Sequence, residues 1–198
     1  MKSPEKTPER TQLNREDWVR AAIEVMIDSS VEDVRVEAIA RELDVSKGSF
    51  YWHFKNRDDL LNAILELWLE ETAIGVSERV EQRAQSPAER LLLFLRLPIS
   101  SKRASKASDL ELAILGWARR SRMAEDAVAK VDRIRVERLV VIFKELGLSV
   151  EAAEFRAHVA YAFLRYIAQR RDILAAKKSD MIAEIHRELL KGLPESKR

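Results

Sequence analysis

The sequence predicts an all-helical protein, and three observations carry that expectation. Glycine and proline are scarce, five of each in 198 residues, while Leu, Ala, Glu, Arg and Ile, mostly good helix formers, dominate. Apolar residues recur at three- and four-residue spacing along most of the chain. No segment shows sustained two-residue alternation with β-branched side chains, so nothing reads as a strand. About nine helices are expected, as a small N-terminal module followed by a larger C-terminal helical domain.

Residues 1–12 read as a solvated tail, with Lys2, Lys6 and Arg10 interleaved with Glu5 and Glu9. The first helix begins at Asn14, a good cap with Asp17 three residues on, and carries Trp18, Ala22, Ile23, Met26 and Ile27 on one face. Asp28-Ser-Ser ends it. A short second helix covers 36–43 and a third 47–54. Asn56 then caps a fourth, with Leu60, Leu61, Ile64, Leu65 and Trp68 inward. Beyond Gly75 the signals are coarser. Ser86-Pro87 opens the next helix, with proline at its first position, and it runs to Leu97. The polar stretch 98–108 reads as a mobile loop. Helices follow over 109–120, 123–146 and 151–176, with Gly147 as a C′ residue and Ser149 as an N-cap. The last spans 180–193, stopped by Gly192 and Pro194, and 194–198 form a tail.

Several function classes are excluded or disfavoured at this point. The formal net charge is +2 and 34% of residues are charged. The most apolar run, Leu91–Leu97, is interrupted by Arg96 and is far short of the roughly 20 residues a bilayer requires, so no membrane contact is expected. The N-terminus has no apolar leader and cysteine is absent, which removes disulfides, thiolate metal sites and cysteine nucleophiles. A cytoplasmic address fits both. His158 and His186 have no carboxylate at ligand spacing, and there is no HExxH or glycine-rich phosphate loop. Ser49 and His53 lie four apart without a third orienting group. No catalytic residue, metal or cofactor is expected, and the chain does not read as an enzyme.

Residues 13–57 suit a helix-turn-helix, in which one helix braces another across a tight turn. Ile39, Ala40 and Leu43 form the inner stripe of the second helix, with Ala40 small enough for close approach. Val45 plugs the turn, and the Ser46 hydroxyl is expected to cap the next helix. Phe50 and Phe54 face inward, leaving Lys47, Ser49, Trp52 and His53 mostly outward. The segment Ser46–His53 is thereby expected in the major groove of DNA.

The run Ile39-Ala-Arg-Glu-Leu-Asp-Val-Ser-Lys-Gly-Ser-Phe-Tyr-Trp-His-Phe-Lys-Asn-Arg-Asp-Asp-Leu60 resembles the N-terminal signature of the TetR (tetracycline-repressor) family of transcriptional regulators. Three positions depart from the family pattern. Asp44 replaces the turn glycine, and Asp tolerates positive φ better than most residues. Arg35 stands where a threonine often caps the second helix, and Arg57 replaces a lysine. The resemblance implies a DNA site of Arg35, Ser46, Lys47, Gly48, Ser49, Tyr51, Trp52, His53, Lys55 and Arg57. Within it, Tyr51, Arg57 and Arg35 would meet phosphates and His53 would brace the module. Lys47, Ser49 and Trp52, with backbone near Gly48, would face base edges, Lys47 being the natural partner of a guanine.

Charge adds a constraint. Residues 1–60 contain ten Lys/Arg and thirteen Asp/Glu, a net of 10 − 13 = −3. The segment 46–57 holds Lys47, Lys55 and Arg57 and no acid, so DNA contact would rest on a short basic edge with a shallow salt dependence.

The resemblance further implies a homodimer on a palindromic double-stranded DNA operator and a ligand-responsive repressor. Residues 58–193 would form the effector-binding and dimerisation domain. The dimer surface is expected from Tyr161, Phe163, Leu164, Ile167, Ile182, Ile185 and Leu189. Trp68, Phe94, Trp117 and Phe143, on four helices, either pack the core or line a pocket for a small apolar or amphipathic effector. An activator of the same fold and a helical protein-interaction adaptor are the alternatives.

Overall fold

The computed structural model describes residues 13–193; the two expected tails and Pro194 lie outside them. Ten α-helices and no strand occur among the described residues. The chain divides into two compact units between Ile64 and Leu65, inside the fourth helix, whereas the sequence set its boundary at 57/58.

In the first unit, α1 (Arg15–Asp28) starts on the expected capping box. Asn14 Oδ1 accepts from the Glu16 and Asp17 amides at 2.8 and 3.1 Å, and the Asp17 carboxylate accepts from the Asn14 amide at 2.7 Å. Trp18, Ala22, Ile23 and Met26 are buried. A 3₁₀ turn at Val31–Asp33 leads into α2 (Val36–Glu42). Asp44 then adopts φ 52°. Its amide donates to Arg41 O at 3.2 Å and that of Val45 to Ala40 O at 3.0 Å, which is a Schellman stop with aspartate at the left-handed position.

The third helix is shorter than expected: α3 covers Lys47–Phe50. Tighter bonds continue the turn, from Tyr51 N to Gly48 O (3.2 Å), Trp52 N to Ser49 O (3.3 Å) and His53 N to Phe50 O (2.9 Å). Phe50 sits at the centre, edge-on to Trp18 at 5.3 Å and stacked on Phe54 at 5.2 Å. The Ser46 hydroxyl makes no capping bond, so that expectation is corrected; the backbone enters α3 without it. α4 (Arg57–Leu69) starts where Asn56 Oδ1 accepts from the Asp59 amide at 2.9 Å.

In the second unit, Gly75 does not break the chain. A π-helical stretch, Glu70–Ile74, joins α4 to α5 (Gly75–Arg83), and Gly75 itself is helical at φ −65°. α6 (Pro87–Arg96) has the expected Ser86 cap, accepting from the Glu89 amide at 3.2 Å. The predicted loop 98–108 is largely helical: a 3₁₀ turn at Leu97–Ile99 is followed by α7 (Lys102–Ala118). Ser105 and Lys106 are exposed there, and polar residues are acceptable on the solvent face of a helix even without an apolar stripe. α8 (Arg122–Glu145) ends at Gly147, φ 94°, as foreseen, and Ser149 caps α9 (Val150–Gln169). The next correction is the break after α9. It falls at 170–174, and α10 spans Ala175–Leu189; no glycine or proline marks it in the sequence. Arg170 Nε donates to Asp172 Oδ1 at 2.7 Å across that break.

α6, α8, α9 and α10 share a core of Leu91, Leu95, Leu139, Phe143, Ile182 and Leu189 among others, with Ala153, Ala157 and Ala160 letting α9 lie close to its neighbours. A polar cluster ties α7, α8 and α9 together. Arg135 meets Glu111 through two bonds of 2.8 and 2.9 Å, Tyr161 Oη donates to Asp132 Oδ1 at 2.6 Å, and Arg165 Nη1 reaches Asp132 at 2.8 Å. Among the described residues, no helix is long and apolar enough to cross a membrane.

Candidate nucleic-acid interface

The turn after α2 and the short α3 bring Ser46, Lys47, Gly48, Tyr51 and Trp52 to the surface, with Ser49 and His53 half-buried beside them. Trp52 is 87% exposed and Tyr51 57%. Leaving such large apolar side chains in water is unfavourable by about 25 cal/mol per Å², yet the turn holds them out rigidly. Phe50 anchors it from below, edge-on to the Tyr51 ring at 5.2 Å. Gly48 has open space: a Cβ there would meet nothing closer than Ser46 Oγ at 3.5 Å. The fold itself therefore imposes no need for glycine at this exposed point.

Two expected phosphate ligands are engaged within the chain. Arg57 is half-buried, and its Nε donates to the Val34 carbonyl at 2.6 Å while Nη2 donates to the Val31 carbonyl. It braces α4 against the 3₁₀ turn. Arg35 is exposed and pairs with Asp33 at 3.3 Å. Lys55 is exposed, and its amide donates to Asp59 at 2.9 Å.

The charge reading of 46–57 also changes. Within the segment there is no acid, but the fold brings Glu37 from the first turn of α2 into an ion pair with Lys47. The hydrogen bond raises the lysine above its usual pKa and holds the glutamate below the ordinary carboxylate range. Sequence spacing could not place these residues together, since ten positions and a turn separate them.

Comparison with known proteins converges on the same segment. Residues 19–64 match the sequence profile of the family described as bacterial regulatory proteins, tetR family. The likeness to the tetR family rests on this segment, about a quarter of the chain. It is 39% identical over 57 residues to the tetracycline repressor protein class C of Escherichia coli, covering 29% of this chain and 26% of that protein. To the transcriptional regulator AcrR of Shigella flexneri it is 33% identical over 94 residues, 48% of this chain and 42% of that one. The chain thus spans between a quarter and just under half of the length of the first curated relatives it matches. The fold likeness is wider. A transcriptional regulator from Rhodococcus sp. Rha1 superposes with TM-score 0.76 at 18% identity, over 91% of this chain and 98% of that one.

The expected dimer and pocket residues lie outside the matched segment. Of the expected dimer residues, Tyr161, Ile167, Ile182 and Leu189 are buried in the single chain, and Phe163 and Ile185 pack against its core; Leu164 is half-buried. Ile185 and Leu189 also line an open groove. The large apolar side chains that α9 leaves exposed are Val150 (48%), Phe155 (72%), Val159 and Tyr166. Beside them runs a groove of about 360 Å³ lined by Phe155, Val159, Ile185 and Leu189 with Arg156 and Glu188. Among the expected pocket residues, Phe143 belongs to the core of α6, α8, α9 and α10, with Phe94 packed on it. Trp68 and Trp117 are buried on α4 and α7, and the Trp68 indole Nε1 has no hydrogen-bond partner.

Proposed function

We propose that the chain is a sequence-specific, ligand-responsive transcriptional repressor that binds a palindromic double-stranded DNA operator as a homodimer. The observation that carries the reading is the outer face of the recognition turn, on which Lys47, Tyr51 and Trp52 stand exposed over a buried Phe50. Such a face suits the major groove: lysine donates to guanine O6 and N7, and an aromatic ring packs on a thymine methyl group or the sugar-phosphate edge. Gly48, unrestricted by its own fold, permits close approach of backbone to phosphate. The site of action is then the compartment that holds the bacterial chromosome, the cytoplasm. Gel shifts of Lys47→Ala and Tyr51→Phe on the DNA flanking the gene test the docking. Both are expected to bind more weakly, and wild-type binding by both contradicts it.

Dimerisation is supported by α9, whose exposed Phe155, Val159, Ala162 and Tyr166 recur at spacings of four, three and four. That is the seam of a helix facing another helix, and a second copy of the chain provides the self-complementary partner that two half-sites require.

The effector reading is supported by Trp68. A buried indole N–H without an acceptor costs about 1–3 kcal/mol, and a ligand acceptor would relieve it. A protein of like fold, the transcriptional regulator FadR from Bacillus subtilis, was solved with stearoyl-CoA (TM-score 0.65, 16% identity, 91% of this chain and all of that one). An amphipathic effector that reached Trp68 would supply that acceptor; the Trp18 indole in the first unit is unpartnered too. A thermal-shift screen in which no amphipathic compound stabilises the protein or releases DNA contradicts the effector reading.

A further inference from the structure

The recognition turn carries an acid where a DNA-binding surface has least use for one. Glu37, in the first turn of α2, holds Lys47 in an ion pair, and both side chains are more than half exposed. In a helix-turn-helix the first of the two helices crosses the DNA backbone while the second enters the groove. Any duplex docked on this face therefore brings phosphates toward Glu37 as well as toward Lys47.

We propose that Glu37 is a selectivity gate: it competes with DNA phosphate for Lys47 and thereby suppresses sequence-independent binding. This rests on the DNA-binding reading above. The physical asymmetry lies in the acceptors. A phosphate is an anion, so drawing Lys47 to it sets a second negative group against the Glu37 carboxylate at the same ammonium. Guanine O6 and N7 are neutral acceptors, and an ammonium has three donors. Lys47 can keep Glu37 with one of them and read the base with the others. The gate thus penalises random duplex and leaves a matching guanine nearly unaffected. Because the pair is exposed, its strength is modest and it opens readily. The lowered Glu37 and raised Lys47 pKa values agree with a pair that is fully ionised near neutral pH.

The test is fluorescence anisotropy of a labelled random-sequence duplex, titrated with the full-length protein over a series of salt concentrations. Glu37→Gln is expected to bind about two- to fivefold more tightly than wild type at low salt, the range an exposed ion pair supports. Its slope of log affinity against log salt should steepen by about 0.9, one additional phosphate contact. The gain should vanish in the Glu37→Gln, Lys47→Ala double variant. Asp28→Asn on α1, which makes the same change in net charge, should not reproduce it. A gain of affinity cannot arise from unfolding, so the expected result is not mimicked by damage. Unchanged affinity and slope in Glu37→Gln overturn the proposal while leaving DNA binding intact, as does an equal gain in Asp28→Asn or a gain that survives loss of Lys47. A wild-type protein that binds no duplex at low salt overturns the DNA-binding reading and the gate with it.

Discussion

Arg57 Nε donates to the Val34 carbonyl at 2.6 Å, so the first residue of α4 is bonded to the segment that precedes α2. The same guanidinium reaches the Val31 carbonyl through Nη2. A cation spent on two backbone acceptors is a fastening for the recognition module. Arg57→Ala is expected to lower the stability of the first unit by about 1.5–3 kcal/mol, the range for hydrogen bonds to a charged group. Urea unfolding followed by tryptophan fluorescence reads it. Arg57→Lys should recover only part, because one ammonium cannot reproduce the fork.

Asp44 occupies a left-handed turn that glycine adopts without strain. Asp44→Gly should therefore raise the melting temperature slightly, by the equivalent of about 0.5–1 kcal/mol. Asp44→Val should lower it, since a β-branched residue at φ 52° is a genuine outlier. The reverse order would place the strain elsewhere.

On α9, exposure separates two apolar sets. Phe155→Glu should yield a folded monomer by analytical ultracentrifugation, with the far-ultraviolet dichroism of the wild type. Ile167→Glu buries a charge in the chain's own core, and it should unfold the second unit. A dimer that persists in Phe155→Glu rules out this face.

Tyr161 is pushed up to about 12 by burial, with its bond to Asp132 adding to the rise and Arg135 opposing it. A phenol whose folded pKa lies above its unfolded value of about 10 contributes stability fully present below pH 10. That contribution is lost as pH rises through about 12. Ultraviolet titration should show a tyrosine step near pH 12, and Tyr161→Phe should remove it.

Much of the first unit was legible in the sequence because its signals are local. The Asn14 capping box, the Asp44 turn, and Phe50 and Phe54 at helical spacing all act over a few residues. What stayed hidden depends on contacts between distant positions. The Glu37–Lys47 pair and the Arg57 bonds join segments whose approach no periodicity encodes. In the second unit, the apolar stripes of α9 and α10 identified buried faces but not whether the covering partner was the chain itself. The break at 170–174 carries no glycine or proline, so no punctuation residue marks it.

The most direct test of the central claim is selection of bound sites from a random duplex pool by wild type and by the Lys47→Ala, Trp52→Ala double variant. Trp52 is 87% exposed and Lys47 lies on the surface, so the double variant should melt like wild type. The account predicts that wild type enriches an inverted repeat with a guanine in each half-site, and that the variant loses the enrichment at those positions. Equal enrichment of the same sequence by both proteins would contradict it.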